Sequence, residues 1–136
     1  DDLHAMLRQC DMVSLHSILS DATRHIIGRA ELACFKPDAI LVNVSRGALI
    51  DEAALVAALG NGQLAAAGLD VFAQEPVSSD NPLLALDNVI LSPHVSWYTA
   101  DTMERYLTGA IRNCRRLADG KPPYCVVNQT ADQTRS

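Results

Sequence analysis

The chain has no G-x-G-x-x-G segment, so the glycine turn that would cradle a dinucleotide's phosphates at a helix N-terminus is not among its residues. Basic residues are in deficit, with Lys+Arg 11 against Asp+Glu 16 and a formal net charge of -5. That balance offers no broad positive field to nucleic acid or anionic lipid, and direct nucleic-acid binding is not expected. Cysteines are few and scattered. Cys10, Cys34, Cys114 and Cys125 form no C-x-x-C pair and have no histidine at zinc-finger spacing, which argues against a structural metal site. They read as reduced, mostly buried thiols of a cytoplasmic protein. No apolar run approaches the roughly 20 residues that span a bilayer, and the opening DDLHAMLRQC lacks the charged-then-apolar order of a signal peptide. Internal repeats and low-complexity segments are also missing.

What is present is an alternation of short apolar segments and turns. A hydrophobic content of 49% over 136 residues supports one core of ordinary size and leaves no room for a second complete domain. Leu3, Met6 and Leu7 fall at helical spacing, predicting a helix over residues 2–9. Residues 12–16 read as a strand and 17–20 as a loop. Asp21 or Thr23 can cap a following helical turn, and residues 29–35 read as a second short helix. The run from Ala39 to Val44 is apolar apart from Asn43 and lacks clean alternation, as expected of a parallel strand covered on both faces. Asp51 offers an N-cap to a helix over 52–59, which Gly60-Asn61-Gly62 stops. A third strand over 65–72 contains Gly68, which reads as a point of close backbone approach. Residues 73–88 form a long loop with one helical turn at 82–86, and 89–92 form a fourth strand. From Tyr98 to about Asp119 runs one long helix, with Met103, Leu107, Ile111, Cys114 and Leu117 or Ala118 along one face. Residues 129–136 read as a mobile tail. Strands alternating with helices give an α/β class with a parallel sheet and right-handed crossovers.

Three ionisable residues follow successive strands: Arg46 the second, Glu75 the third and His94 the fourth. Parallel strands deliver their carboxyl ends to one edge, so the three can meet in one crevice. Arg46 offers a planar fork for a carboxylate or a carbonyl oxygen gaining charge. His94 can exchange a proton near neutrality, and a carboxylate beside it favours the protonated ring and orients it. The trio fits reversible reduction of a 2-keto acid with hydride supplied by a cofactor. Taken locally, Arg46 reads equally as a surface arginine paired with a neighbouring carboxylate, Asp70 as the cap of a turn, and His4 and His25 as solvated surface residues.

The segments VNVSRGALID at 42–51, GLDVFAQEP at 68–76 and SPHVSWYT at 92–99 resemble the three C-terminal motifs of the D-isomer-specific 2-hydroxyacid dehydrogenases. DMVSLHSILSDATRHIIG at 11–28 resembles the motif that precedes them, and the similarity runs from about Leu3 to Asn128. The resemblance implies the second half of a Rossmann-type domain over residues 1–128, binding NAD or NADP. It implies Arg46 as substrate anchor, His94 as proton donor and Glu75 as its partner. It places cofactor contacts at Ser17, Ile18, Thr23, Val44, Ser45 and Arg46, and at Asp70, His94, Val95, Ser96 and Trp97, with Asp70 meeting the nicotinamide carboxamide. Ile18 stands where the family usually has proline. The family's substrate domain, glycine-rich loop and ribose-binding acid would precede residue 1, so these residues alone are expected to bind NADH weakly or not at all and turn over nothing. The strand over 12–16 would then present an unpaired edge, and self-association through it is expected. HVSWYT also resembles the C-terminal-binding-protein branch of the family, whose members are NAD(H)-sensing corepressors. That gives the alternative of a nucleotide-gated interaction protein.

Overall fold

The computed structural model describes residues 3–126; the expected tail at 129–136 lies outside the described residues. They fall into two compact units, one ending at Ser96 and the other beginning at Trp97.

The first unit holds four short strands: β1 (Met12–Leu15), β2 (Ile40–Asn43), β3 (Ala66–Leu69) and β4 (Val89–Leu91). All are parallel, and their order in space is β1-β2-β3-β4. The register aligns Leu15, Asn43, Leu69 and Leu91 across the sheet. Each strand therefore ends at the same level, and the next few residues of every strand emerge along one edge. The helices are α1 (Leu3–Leu7), α2 (Arg29–Leu32) and α3 (Glu52–Gly60), with 3-10 turns at Gly47–Leu49 and Pro82–Ala85.

Burial along the strands alternates with period two. Val13, Leu15, Leu41, Asn43, Ala67 and Leu69 face inward, in one core with Leu7, Leu32, Leu55 and Leu59 of the helices. The other face is only partly covered: Ile40 and Val42 are half-buried, and Met12 and Ile90 are exposed. The expectation that β2 is covered on both faces is thus corrected, because all three helices contribute to a core on one side. Each fully buried leucine contributes about 1.5–3 kcal/mol over its exposed state.

Asp51 caps α3 as its sequence position requires, its carboxylate accepting from the Ala54 amide at 3.1 Å. Gly62 takes φ 75° just beyond that helix, the left-handed conformation that closes its last turn. Residues 21–25 form turns without a helix, because the Thr23 hydroxyl accepts from the Ser20 amide at 2.8 Å and donates to the Ile18 carbonyl at 2.7 Å. The loop then pairs with the segment after β2 through His25 N to Ala48 O and Ile27 N to Leu49 O. His4 is not simply solvated: its Nε2 lies 2.7 Å from Glu31, whose other oxygen accepts from the Gly28 amide, tying α1 to the start of α2. The four cysteines are free, and none is buried; Cys10 and Cys34 are half-buried, while Cys114 and Cys125 are exposed. Mostly buried thiols were the wrong expectation, since these cysteines sit on short or surface helices and turns rather than in the strands.

The second unit is built on α4 (Ala100–Ala118), capped by Thr99 accepting from the Thr102 amide. Acidic Asp101 lies in its first turn and Arg115 and Arg116 in its last, each favourable with the helix dipole. Tyr124 returns alongside the helix: Asn113 accepts from its amide at 2.8 Å, and the Arg116 guanidinium stacks 4.1 Å above its ring. Leu107, Ile111 and Leu117 of the expected apolar stripe are exposed. No helix among the described residues is long and apolar enough to cross a membrane.

Candidate active site

The aligned strand ends carry the chemistry. After β2 the backbone passes through Val44 and Ser45 to Arg46, after β3 through Asp70 to the loop bearing Glu75, and after β4 through Ser92 and Pro93 to His94. Arg46, Gly47, Phe72, Glu75 and His94, with Leu19 from the loop after β1, line one cleft of about 230 Å³. The three ionisable groups read from the sequence are therefore brought together.

Within the cleft, His94 Nδ1 lies 2.8 Å from Glu75 Oε2. The other oxygen of Glu75 accepts from the Phe72 amide at 3.0 Å, so the carboxylate is fixed at both ends. His94, the Phe72 amide and the nearby Arg46 charge together hold the Glu75 carboxyl below its usual range despite its partial burial. Arg46 is exposed, donates from Nη1 to the Ser45 carbonyl at 2.7 Å, and makes no ion pair within 4 Å among the described residues. The reading of Arg46 as one half of a surface salt bridge is thereby set aside. Its fork is available to an anion entering the cleft.

Asp70 is buried, 3% exposed, and its carboxylate is occupied by the loop that carries His94. Oδ1 accepts from the Ser92 hydroxyl and the Val95 amide, and Oδ2 from the Ser96 amide at 2.9 Å. Burial pushes this carboxyl up, but the hydrogen bonds from Ser92, Ser96 and Val95 outweigh it and bring it down to about 2. Its backbone carbonyl accepts from the His94 amide at 2.8 Å. Capping of a turn, the local alternative for Asp70, is what its side chain does here.

Two further residues that sequence reasoning missed hold the cleft's walls. Asn43, fully buried at the end of β2, donates from Nδ2 to the Arg46 carbonyl at 2.9 Å, and its Oδ1 accepts from the Ser45 amide at 3.1 Å. The signal was there as the one polar residue in an apolar strand. Glu52, the first residue of α3, accepts from the Ala73 amide at 3.0 Å and from Asn81 Nδ2 at 2.9 Å, clamping the loop of Glu75. Close backbone approach occurs at Gly47 rather than Gly68. A Cβ at Gly47 would overlap the backbone of Phe72 and Ala73, whereas one at Gly68 would meet only the Val42 side chain at 3.8 Å.

The remaining predicted contacts are distributed along the edge. Ser17 and Ile18 are exposed just past β1, with Ile18 at 81%, and the Thr23 hydroxyl is committed to its own loop. Val44 and Ser45 are half-buried, while Val95 and Ser96 are exposed with their amides bound to Asp70. Trp97 belongs to the second unit, where its ring meets Tyr98 edge-to-face at 5.5 Å. Ser17 and Ile18 leave the end of β1 at the same sheet edge as Val44 and Ser45 after the neighbouring β2. No G-x-G-x-x-G turn that would cradle a dinucleotide's phosphates occurs among the described residues. No cluster of three metal-ligating side chains occurs among the described residues.

A parallel sheet whose carboxyl edge carries a guanidinium and a hydrogen-bonded carboxylate–imidazole pair is a Rossmann-type nucleotide-binding half-domain of dehydrogenase kind. Residues 1–96 match the family model described as D-isomer specific 2-hydroxyacid dehydrogenase, NAD binding domain, and the chain belongs to that family. It is 45% identical over 133 residues to a glyoxylate reductase of Aeropyrum pernix, covering 98% of this chain and 40% of that protein. It is 44% identical over 128 residues to a D-3-phosphoglycerate dehydrogenase of Methanocaldococcus jannaschii, covering 94% and 24%. A crystal structure of D-lactate dehydrogenase with NAD+ from Lactobacillus jensenii matches with a TM-score of 0.86 at 34% identity, over 95% of this chain and 43% of that one. The chain thus spans well under half the length of these relatives.

Proposed function

We propose that, within its full-length protein, this chain is the nicotinamide-side half of an NAD(P)-dependent dehydrogenase that interconverts a 2-keto acid and a D-2-hydroxy acid. The observation that carries this reading is the Glu75–His94 pair, 2.8 Å apart, sharing a cleft with the Arg46 guanidinium, which makes no ion pair among the described residues. Arg46 binds the substrate carboxylate and draws charge toward the carbonyl oxygen. His94 delivers a proton to that oxygen during reduction and takes it back during oxidation. Glu75, anchored by the Phe72 amide, orients the ring. Bound NAD(P)H supplies the hydride, and Ser17, Ile18, Val44, Ser45 and the 94–96 segment are the residues that would hold it.

The test is NADH oxidation by the full-length protein with glyoxylate, hydroxypyruvate and 3-phosphohydroxypyruvate. Turnover at ordinary enzyme rates, above about 1 s⁻¹, is expected and separates a metabolic enzyme from an NAD(H)-gated interaction protein. His94→Ala and Arg46→Ala are each expected to lower kcat/KM by about 10²–10⁴. A His94→Ala protein that keeps its turnover would remove His94 from proton transfer.

A further inference from the structure

Asn43 occupies the last position of β2, 0% exposed, with apolar Leu15 and Leu69 in register on either side. A leucine or valine would bury more apolar surface there, and a buried amide carries a desolvation cost that only hydrogen bonds offset. Both side-chain hydrogen bonds described for it go to the turn that carries Arg46. With the bond from Arg46 Nη1 to the Ser45 carbonyl at 2.7 Å, they close a ring. Asn43 holds the Ser45 amide, Ser45 holds the guanidinium, and the Arg46 carbonyl is held by Asn43. Gly47, the next residue, lies directly against the Phe72 backbone, so the arginine is braced before and after.

We propose that Asn43 is a positioning residue for keto-acid recognition, setting the direction of the Arg46 guanidinium through Ser45. This rests on the dehydrogenase reading above. A merely structural asparagine would satisfy its neighbours and lower stability when removed, without coupling to Arg46 in catalysis. A positioning one acts only through that arginine.

The experiment is a double-mutant cycle in the full-length protein, with glyoxylate as substrate and saturating NADH. Asn43→Ala is expected to lower kcat/KM for glyoxylate by about 10- to 100-fold, the scale of a misplacement of roughly 1 Å, with the KM for NADH changed less than about twofold. In an Arg46→Ala background the same substitution should change kcat/KM less than about twofold, because the group it aims is gone. If Asn43→Ala does not fold, Asn43→Ser, which keeps one hydrogen-bonding oxygen, carries the same cycle with a smaller loss. Losses that simply multiply in the double variant would overturn the assignment while leaving the dehydrogenase intact. A wild-type protein that reduces no keto acid would overturn the function, and this assignment with it.

Discussion

His94 sits at φ 55°, in the left-handed region that costs a residue with a side chain about 1–2 kcal/mol. It stays there because Asp70 holds the loop on both sides, through its carbonyl to the His94 amide and its carboxylate to Ser92, Val95 and Ser96. The same carboxylate makes an acid-stability prediction. Its carboxyl lies at about 2 in the folded chain against 3.8 as an ordinary aspartate. A depressed value means the stabilisation is complete above pH 3.8 and is lost as pH falls toward 2, a contribution of about 2 kcal/mol. Urea midpoints measured from pH 5 to pH 2.5 should fall across that window, and an Asp70→Asn variant should start less stable and fall less steeply. An equal slope in both proteins would contradict it. Glu75→Gln tests the neighbouring pair. Without the carboxylate that orients the imidazole at 2.8 Å, kcat for keto-acid reduction should fall by about 10- to 100-fold, while an unchanged kcat would make Glu75 a spacer.

Elements were legible in the sequence to the extent that local chemistry decides them. The four strands and α3 follow from apolar runs, from Asp51 and from the glycines at 60 and 62. The third strand is shorter than expected, 66–69 rather than 65–72: the Asp70 amide still donates to the Asn43 carbonyl at 3.0 Å, but its carboxylate turns to the loop after β4 and the chain beyond it enters the Glu75 loop. Which glycine meets another backbone could not be read, since that depends on what folds opposite it. Gly47 lies across from Phe72, and no pattern within residues 42–51 announces that. Asn43 and Glu52 were overlooked for the same reason: their partners, Arg46 O, Ala73 N and Asn81, are set by loop paths rather than by period. Gly47→Ala is accordingly expected to force the Arg46 and Glu75 loops apart, with a loss of about 1–3 kcal/mol in stability and most of the turnover. Differential scanning calorimetry alongside a glyoxylate assay reads both, and an unchanged melting temperature would show that the loops can give way.

At the scale of the molecule, two features govern the chain by itself: it contains no glycine-rich phosphate loop, and among the described residues β1 has a strand neighbour on one side only. The isolated 136 residues should therefore bind NADH more weakly than micromolar and associate through the open β1 edge. A fluorescence titration giving micromolar affinity would contradict the first. Sedimentation as a clean monomer would contradict the second.

The strand order repeats the chain order, β1 to β4, and this has a bearing on synthesis. Each of β2, β3 and β4 finds a neighbour already made on leaving the ribosome, so the sheet can grow in one direction. The imidazole arrives last, and the proton-transfer pair is complete only after the arginine's turn has had time to set.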